Sequence, residues 1–376
     1  MNIAIDGTII REGITGTGFY ITNLINGLVK IDNLNSYYIF GDEKYLRRYV
    51  KVDKKNFNIV HQRFRNRIIR VLWEYFIFPF KLKKLKIDIL HSPNYITPLF
   101  KFGFKIILTI HDLTFLLFPE KYPITKRLLF SKMLPVFIKI SDKIIAVSEN
   151  TKKDILKLFN VLEAKIIVTY ESYPDYYNYS IDKEKAKEIL IKYGIEKKYI
   201  LYIGMIEPRK NIISILKAFV ELDKELEIDL VIVGKKGWYF KEIEEYMMKI
   251  EKLKLRNNII FTGYVPEEEL KYFYKAALMF IYPSLYEGFG LPPLQAMSCG
   301  TPVITSNVSS LPEVVGDAAI KINPDNLGEL KNSIRCLYAD KGKREDLIRK
   351  GLENSKKFSL EKVAIKVLSV YNSLDL

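Results

Sequence analysis

The stretch LMFIYPSLYEGFGLPPLQAM, from Leu278 to Met297, decides the fold class because it joins two kinds of hydrophobic pattern. It opens with a short apolar run, which predicts a buried strand. The glycines and prolines that follow mark a turn and then the first turn of a helix. Strand, loop and helix in this order are the repeating unit of parallel α/β sheets. Glu287 lies in the loop, where a carboxylate can bind sugar hydroxyls, and Gln295 lies in the first turns of the helix.

The same alternation continues on both sides of this stretch. Between the short apolar runs, apolar residues recur at helical spacing, as Leu24, Leu28 and Ile31 do. The predicted strands are Asn2–Ile5, Tyr37–Phe40, Ile87–Leu90, Lys105–Ile110, Lys143–Val147, Lys165–Thr169, Tyr199–Ile203, Leu230–Val233, Ile259–Thr262, Leu278–Tyr282, Thr301–Thr305 and Ala319–Ile322. They predict an α/β protein with two doubly wound, Rossmann-like domains. Ligands of open α/β sheets bind beyond the carboxyl ends of the strands, so we expect the site in a cleft between the two domains.

The predicted domain boundary is the stretch ESYPDYYNYS at residues 171–180, which contains Pro, Asp, Asn and Ser and lacks a helical or strand period. Charge differs on its two sides. Residues 1–172 carry 28 basic and 15 acidic side chains, net +13, whereas residues 173–376 carry 31 and 29, net +2. The asymmetry indicates an anionic partner for the first domain: nucleic acid, an acidic lipid surface or a phosphorylated substrate. A lysine-rich solvated surface is the alternative.

Other functional classes are disfavoured by what the sequence lacks. The chain has two cysteines, three histidines without metal-ligand spacing and no Asp-x-Asp motif, so we expect neither a disulfide framework nor a bound metal or other cofactor. The opening MNIAIDG does not have the pattern of a signal peptide, and no window approaches the roughly 18 uninterrupted apolar residues of a spanning helix. We therefore expect a cytoplasmic protein, either soluble or peripheral on the membrane.

Further candidate residues follow predicted strands in the first half of the chain. Gly16 and Gly18 come after the first strand and before a helical pattern, and glycines let backbone amides approach an anion. Their spacing matches neither the dinucleotide fingerprint nor the P-loop, and a plain turn explains it equally well. His91 and His111 follow the third and fourth strands, where an uncharged imidazole can hydrogen-bond a hydroxyl-rich ligand.

In the second half, the turn GMIEPRKN (Gly204–Asn211) follows the strand Tyr199–Ile203 and precedes a helix. It contains Arg209 and Lys210. Arginine offers a planar fork and lysine a point charge, and a helix N-terminus adds a favourable dipole, so the pair suits a diphosphate. An exposed basic turn is the alternative.

Taken together, these residues resemble the retaining, nucleotide-sugar-dependent enzymes of glycosyltransferase family 4, which have the GT-B fold. The resemblance runs nearly end to end and is carried by Tyr282–Val303, Gly204–Asn211, Gly16–Tyr20, His111-Asp112 and Ser148. Phe358-Ser359 resembles the start of the last helix, which in the family crosses back to the first domain. The resemblance implies an acceptor-side domain at residues 1–172, a nucleotide-sugar-binding domain at 173–357 and a returning helix at 358–376.

The resemblance also implies a role for each matching position. The implied catalytic residues are Glu287 and His111, which contact the transferred sugar, and Arg209 and Lys210, which hold the diphosphate. The implied donor-binding residues are Gly16, Gly18, Gly204, Arg209, Lys210, Phe289, Gly290, Leu291 and Gln295. Two positions depart from the pattern: Gln295 stands where the family has a glutamate that binds the ribose hydroxyls, and Phe19 stands where many relatives have arginine.

The resemblance predicts transfer of a hexose from a nucleotide diphosphate sugar to a hydroxyl acceptor, with retention at the anomeric carbon and without a metal. The loops resemble those of bacterial mannosyl- and rhamnosyltransferases, which favours mannose from GDP-mannose as donor and a glycan or lipid-linked saccharide of cell-surface polysaccharide or glycolipid biosynthesis as acceptor. UDP-glucose and dTDP-rhamnose remain open as donors. A nucleotide-sugar hydrolase, an epimerase or a sugar-phosphate synthase of the same fold is the alternative chemistry. A non-enzymatic nucleic-acid binder is disfavoured because no such module is present.

The basic first domain also predicts contact with an anionic membrane surface on the cytoplasmic face. Four arginines (Arg63, Arg65, Arg67 and Arg70) precede the apolar Val71–Phe80, and four lysines (Lys81, Lys83, Lys84 and Lys86) follow it. A basic segment that flanks aromatic residues can lie on anionic lipid. An ordinary core helix around Trp73 is the alternative for this segment.

Overall fold

Two parallel sheets, each in its own unit, organise the chain. The computed structural model describes residues 1–14, 16–119, 124–177, 181–237 and 241–374. Unit 1 comprises Met1–Pro174 and Phe358–Leu376, and unit 2 comprises Asp175–Lys357. The division lies two residues beyond the predicted position, within the stretch 171–180, of which residues 178–180 are outside the described part of the chain. Residues 375–376 of the predicted returning helix are outside it as well.

Unit 1 contains a seven-stranded sheet in the order β3-β2-β1-β4-β5-β6-β7. Its strands are β1 (Asn2–Asp6), β2 (Ser36–Gly41), β3 (Phe57–His61), β4 (Ile89–Ser92), β5 (Lys105–Ile110), β6 (Lys143–Ala146) and β7 (Ile166–Val168). Its helices are α1 (Gly16–Ile31), α2 (Glu43–Tyr49), α3 (Arg67–Phe76), α4 (Phe78–Lys84), α5 (Thr114–Leu117), α6 (Ile124–Ile140), α7 (Glu149–Leu158) and, from the C-terminal segment, α16 (Leu360–Asn372). Every pairing is parallel, and the strand order reverses between β1 and β4, where Ile3 lies opposite Ile89.

Unit 2 contains a six-stranded parallel sheet in the order β10-β9-β8-β11-β12-β13. Its strands are β8 (Tyr199–Ile203), β9 (Asp229–Val233), β10 (Ile259–Gly263), β11 (Met279–Tyr282), β12 (Val303–Ser306) and β13 (Ala319–Ile322). Its helices are α8 (Lys183–Lys192), α9 (Ile212–Leu222), α10 (Lys241–Glu251), α11 (Glu267–Ala276), α12 (Leu291–Ser298), α13 (Leu311–Val315), α14 (Leu327–Ala339) and α15 (Lys341–Ser355). Here the order reverses between β8 and β11, and such a reversal is where open α/β sheets bind ligands.

The prediction of two doubly wound α/β domains is confirmed, with two differences in unit 1. The strand β3 was not predicted, because Phe57–His61 is an edge strand whose side chains are largely half-buried or exposed and which has no long apolar run. The strand β4 begins and ends two residues later than predicted, so His91 lies inside the strand and not after it. Both differences arise where tertiary pairing overrides a weak local pattern.

The C-terminal helix α16 packs on α1 and completes the core of unit 1. The approach is so close that a Cβ at Gly27 would lie 2.6 Å from the carbonyl oxygen of Leu360 and 2.9 Å from the Cβ of Ala364. The buried Tyr371 of α16 also shares a hydrogen bond of 2.7 Å with Nδ1 of His91 in β4. Within the described residues, no helix combines the length and apolar character needed to cross a bilayer.

Candidate functional site

Three loops meet at the carboxyl edge of the unit 2 sheet, where its strand order reverses. They follow β8, β11 and β12. The loop after β11 is tied to the loop after β8, because the amide of Leu285 donates to the carbonyl of Arg209 over 2.9 Å. It is tied to the loop after β12 as well, since Ser309 Oγ accepts from the amide of Glu287 (3.0 Å) and Ser310 Oγ lies 2.9 Å from the carbonyl oxygen of Glu287. The predicted Arg209, Lys210 and Glu287 are therefore brought together.

The side chains of these loops form a buried cluster of charges. Nζ of Lys210 lies 2.6 Å from Oε1 of Glu287, and Nη1 of Arg209 lies 3.2 Å from Oε2 of the same carboxylate. Nη2 of Arg209 also lies 2.8 Å from Oε1 of the buried Glu207. Two cations and two carboxylates therefore balance one another at the edge of the sheet.

This environment keeps Glu287 ionised. Burial by itself would raise the pKa of Glu287, but the charges of Lys210 and Arg209, together with hydrogen bonds from Lys210 and Ser284, hold it at about 2. The hydroxyl of Ser284 donates to Oε1 over 2.6 Å. A carboxylate with so low a pKa is a poor proton acceptor near neutral pH, and it is well suited to accept hydrogen bonds.

Lys210 is held on its other side by the end of β11. Its Nζ donates to the hydroxyl of Tyr282 over 2.7 Å and lies 5.1 Å from the centre of that ring. Burial and the neighbouring charge of Arg209 lower the pKa of Lys210, while Glu287 and Glu207 oppose this change. The ammonium group is thus fixed in position by two different acceptors.

The start of α12 supplies backbone donors beside the charge cluster. Gly290 precedes this helix with φ +120°, a backbone conformation that favours glycine. Pro292 and Pro293 carry no N–H, so the amides that this helix start offers are those of Gly290 and Leu291. Phe289 is buried, and its carbonyl accepts from the hydroxyl of Ser310 over 2.6 Å.

Gln295 lies in α12 and is buried against α11. Oε1 of its amide accepts a hydrogen bond of 3.2 Å from the hydroxyl of the buried Tyr274. This orientation commits the amide oxygen to a protein donor and leaves the amide nitrogen as the donating end of the side chain. Where the family has a carboxylate, this chain thus has a neutral amide whose oxygen already accepts a hydrogen bond from Tyr274.

In unit 1, His111 follows β5 and uses both ring nitrogens within the protein. Nδ1 lies 2.8 Å from Oε1 of Glu171, and Nε2 lies 2.9 Å from the carbonyl oxygen of Pro93. Both partners are acceptors, and the ring can donate to both at once only in its protonated, imidazolium form. Burial opposes this charge, but the hydrogen bonds to Glu171 and Pro93 and the negative charges of Glu171 and Asp112 raise the pKa of His111. These contacts favour the protonated ring over the uncharged imidazole that the sequence analysis considered at this position.

His91 has a structural role. Its ring is completely buried and forms hydrogen bonds with the hydroxyls of Tyr371 (2.7 Å) and Thr109 (2.8 Å). The hydroxyl of Tyr20 extends this hydrogen-bond network, at 3.3 Å from that of Thr109. Burial and the charge of the nearby His111 lower the pKa of His91 to about 3, so the ring is neutral. The interpretation of His91 as a ligand-facing residue was therefore wrong.

The remaining predicted positions are glycines. Gly16 is the exposed first residue of α1, and Gly18 is buried in the first turn of that helix, so both lie in the helix and not in a loop before it. Phe19, the departure from the family's arginine, is half-buried. Gly204 follows β8 directly. Gly16, Gly18, His91 and His111 belong to unit 1, and the other predicted site residues belong to unit 2.

Sequence reasoning missed a second buried polar cluster, at the strand-order reversal of unit 1. Asp6, at the end of β1, accepts from the hydroxyl of Thr8 over 2.6 Å. Arg70 of α3 lies 2.7 Å from Oε1 of Glu74, and the hydroxyl oxygen of Thr8 lies 3.0 Å from the same carboxylate oxygen. Burial and the charge of Asp6 raise the pKa of Glu74 well above its ordinary value. Only the i, i+4 spacing of Arg70 and Glu74 is visible in the sequence, and that spacing is typical of exposed helix faces.

Comparisons with known proteins agree with these features. The model of glycosyl transferases group 1 matches residues 182–354, and that of glycosyltransferase family 4 matches residues 14–172. The chain is 35% identical to O-antigen chain mannosyltransferase B of Escherichia coli, over 78% of this chain and 76% of that protein. It is 30% identical to O-antigen chain mannosyltransferase RfbU of Salmonella typhimurium, over 61% of this chain and 59% of that protein. It is 29% identical to the serotype-specific mannosyltransferase WbdA of Escherichia coli, of which it spans 34%.

Solved structures show the same fold at low sequence identity. Sucrose-phosphate synthase from Thermosynechococcus elongatus aligns over 99% of this chain and 98% of its own, with a TM-score of 0.77 and 19% identity. Anabaena HepE in complex with UDP-glucose aligns over the full length of both chains, with a TM-score of 0.77 and 14% identity. From these matches and the architecture of its two units, the chain belongs to the glycosyltransferases of family 4, with the GT-B fold.

Proposed function

We propose that the protein transfers mannose from GDP-mannose, with retention at the anomeric carbon, to a hydroxyl of a glycan or lipid-linked saccharide in cell-surface polysaccharide biosynthesis. The observation that carries the proposal is the buried contact of Arg209 and Lys210 with Glu287 at the strand-order reversal of unit 2. The choice of mannose is supported by the names of the curated relatives, which include two O-antigen chain mannosyltransferases.

The cations of the cluster stabilise the leaving group in this proposal. As the bond between the anomeric carbon and the phosphate oxygen breaks, negative charge grows on the diphosphate. We assign Arg209 and Lys210 to bind that charge, and the amides of Gly290 and Leu291 at the start of α12 to add backbone donors. Because these groups are already fixed by Tyr282, Glu207 and the loop backbone, little reorganisation is needed when the charge develops.

Glu287 is assigned to orient the sugar and not to attack it or accept a proton. Its pKa of about 2 makes it a weak base, and both of its oxygens accept hydrogen bonds from Lys210, Arg209 and Ser284. Retention then follows a front-face route. The acceptor oxygen bonds to the anomeric carbon on the face that the diphosphate leaves, and the acceptor's proton passes to a leaving phosphate oxygen.

The proposal requires no metal, because Arg209 and Lys210 supply the positive charge that a divalent cation would otherwise provide. We expect transfer to continue in excess chelator. Loss of activity on chelation and its return with a divalent cation would refute this part of the proposal.

The test of the site is replacement of Lys210 by alanine. We expect a loss of about 30-fold or more in kcat/KM, which corresponds to about 2 kcal/mol of transition-state stabilisation. Lys217→Ala, an exposed lysine of α9, is the matched control. Because Lys210→Ala leaves a buried carboxylate without its partner, the double variant Lys210→Met, Glu287→Gln is measured alongside it. The double variant is expected to be more stable than Lys210→Ala but to remain without transferase activity. A Lys210→Ala enzyme with near-normal kcat/KM would contradict the assignment.

The donor is decided by a thermal-shift panel of GDP, UDP, ADP and dTDP, because a ligand that binds the native state raises the melting temperature. GDP is expected to give the largest shift. UDP-glucose is the second candidate, because solved structures with the same fold were crystallised with UDP and UDP-glucose. A larger shift with UDP would favour it, and a larger shift with dTDP would favour dTDP-rhamnose. Donor turnover without any acceptor would favour a hydrolase or epimerase, and turnover only with a sugar phosphate would favour a synthase.

A further inference from the structure

Helix α3 exposes an apolar face to solvent and buries an ion pair, beside Trp73 and Tyr75, on its other side. The side chains of Ile68 and Leu72 are 68% and 51% exposed, and Phe76, one turn further along the same face, is 50% exposed. On the opposite face Arg70 and Glu74 are 5% and 1% exposed, because they pair with each other against Thr8 and Asp6. A helix that faces water normally does the reverse, with its apolar stripe towards the core. The outer face of α3 is therefore suited to an apolar environment.

The exposed apolar residues continue beyond α3. Ile77 joins α3 to α4 and is 53% exposed, and Phe80 of α4 is 57% exposed. The ring of Phe80 lies 5.0 Å from that of Phe102 and 6.1 Å from that of Phe100, both in the loop before β5. We name this surface the apolar face; its residues are Ile68, Ile69, Leu72, Phe76, Ile77, Phe80, Phe100 and Phe102. So large a set of neighbouring exposed apolar side chains marks an interaction site.

The apolar face is held firmly from beneath. Trp73 of α3 and Phe78 and Leu82 of α4 are buried in a core cluster with Phe40 of β2, and the rings of Trp73 and Phe78 stack at 4.6 Å. The inner side of both helices thus has its own core, so the outer apolar side chains are not needed for packing within unit 1.

Positive charge surrounds the apolar face. Between residues 63 and 86 the chain has eight basic residues and one acidic residue, Glu74, which is buried beside Arg70. The exposed basic residues of this segment are Arg63, Arg65, Arg67, Lys83, Lys84 and Lys86. Lys83 lies 5.2 Å from the ring of Phe102, at the edge of the face. An apolar centre with a cationic rim is complementary to the interface of a membrane that contains anionic lipids.

We propose that α3, α4 and the loop before β5 form the surface by which unit 1 docks on an anionic lipid membrane. The apolar side chains enter the boundary between headgroups and acyl chains, and the basic rim binds the lipid phosphates. A second copy of the chain fits less well, because a two-fold contact through this face would bring two sets of like charges together. This inference goes beyond the proposed transfer and does not depend on the identity of the donor.

The first experiment measures binding of the full chain to vesicles by flotation. Vesicles of phosphatidylglycerol and phosphatidylcholine are compared with vesicles of phosphatidylcholine alone. Wild-type protein is expected to bind the anionic vesicles and to be released by salt. The triple variant Leu72→Ser, Phe76→Ser, Phe80→Ser is expected to lower the partition coefficient at least about tenfold. The matched control is Leu34→Ser, Leu162→Ser, Met248→Ser, which removes three apolar side chains that are even more exposed, from other parts of the surface.

The second experiment neutralises the rim. Arg65→Gln, Arg67→Gln, Lys83→Gln and Lys84→Gln together are expected to lower binding at least about tenfold. Replacement of Lys183, Lys185, Lys187 and Lys197 of unit 2 by glutamine removes the same number of exposed charges and is expected to leave binding unchanged. In all variants, the nucleotide that the wild-type protein binds should raise the melting temperature as much as it does in the wild type. A loss of membrane binding can then be distinguished from damage to the donor site.

Three results would overturn the proposal. The first is equal binding of the wild-type protein to anionic and neutral vesicles, or binding to neither. The second is an equal effect of the apolar triple variant and its control. The third is a concentration-dependent dimer that the apolar triple variant dissociates, which would assign the face to a second copy of the chain.

Discussion

Replacing Glu287 with glutamine is expected to lower the stability of unit 2 at neutral pH by about 3 kcal/mol. The side chain keeps its size and can still accept from Ser284, but it loses the charge that balances Lys210 and Arg209. The perturbation therefore isolates the electrostatic part of the cluster.

The magnitude follows from the depressed pKa. The pKa of Glu287 lies at about 2 in the folded protein against an ordinary value of 4.5. At roughly 1.4 kcal/mol per pKa unit, this difference is worth about 3 kcal/mol when the group is ionised in both states. Because the folded-state pKa is the lower one, the contribution is fully present above pH 4.5 and is lost as the pH falls through about 2. The gap between wild type and variant should therefore shrink to about 1 kcal/mol at pH 3.

The assay is hydrogen exchange in increasing urea, read by mass spectrometry on peptides from β8 and β11. Peptides from unit 1 provide an internal reference in the same sample. Glu196→Gln, an exposed glutamate of unit 2, is the control variant and should change stability by less than about 1 kcal/mol. A Glu287→Gln protein within about 0.5 kcal/mol of wild type at pH 7, or a gap that does not change with pH, would refute the reasoning.

Three further substitutions test other parts of the structure. Glu171→Gln should lower the pKa of His111, which is measured by NMR titration of the ring. Because Glu171 raises this pKa in the folded protein, the variant should lose most stability below the ordinary pKa of 6.5. The loss should disappear as the pH rises through the folded-state pKa of His111. An unchanged titration would exclude the imidazolium pair. Gly27→Ala should destabilise unit 1 by about 1–3 kcal/mol in urea denaturation, because the new methyl group would clash with the backbone of Leu360. In a solvent-exposed helix the same substitution is stabilising. Gln295→Glu should bind the preferred nucleoside diphosphate about fivefold more tightly by calorimetry, since a carboxylate makes stronger hydrogen bonds than an amide; weaker binding would contradict a ribose-binding role at this position.

The parts of the structure that were predictable are those set by local pattern. Short apolar runs between amphipathic stretches predicted the alternation of strands and helices, and the carboxyl ends of parallel strands necessarily share one edge of a sheet. Arg209, Lys210 and Glu287 could therefore be placed near one another although 77 positions separate Lys210 from Glu287. The edge strand β3 was missed because a half-exposed strand has no continuous apolar run.

The parts that were not predictable depend on partners far apart in the sequence. His111 and Glu171 are 60 positions apart, and nothing local to either residue indicates that the ring contacts a carboxylate. The direction in which the faces of α3 point is hidden for a similar reason. Arg70 and Glu74 have the spacing of a solvent-exposed ion pair, and only their contact with Thr8 of another loop shows that they face inwards. Local sequence indicates which residues share a face of a helix, but not which way that face points.

The packing of α16 on α1 has a consequence for how the chain can be made. Unit 2 is one continuous segment, Asp175–Lys357, whereas unit 1 needs both Met1–Pro174 and Phe358–Leu376. During translation the first 174 residues leave the ribosome early, yet the surface of α1 around Gly27 stays uncovered until α16 emerges. Unit 2 can therefore complete its core before unit 1 does. A nascent chain should resist proteolysis first within residues 175–357, and within residues 1–174 only after α16 has emerged.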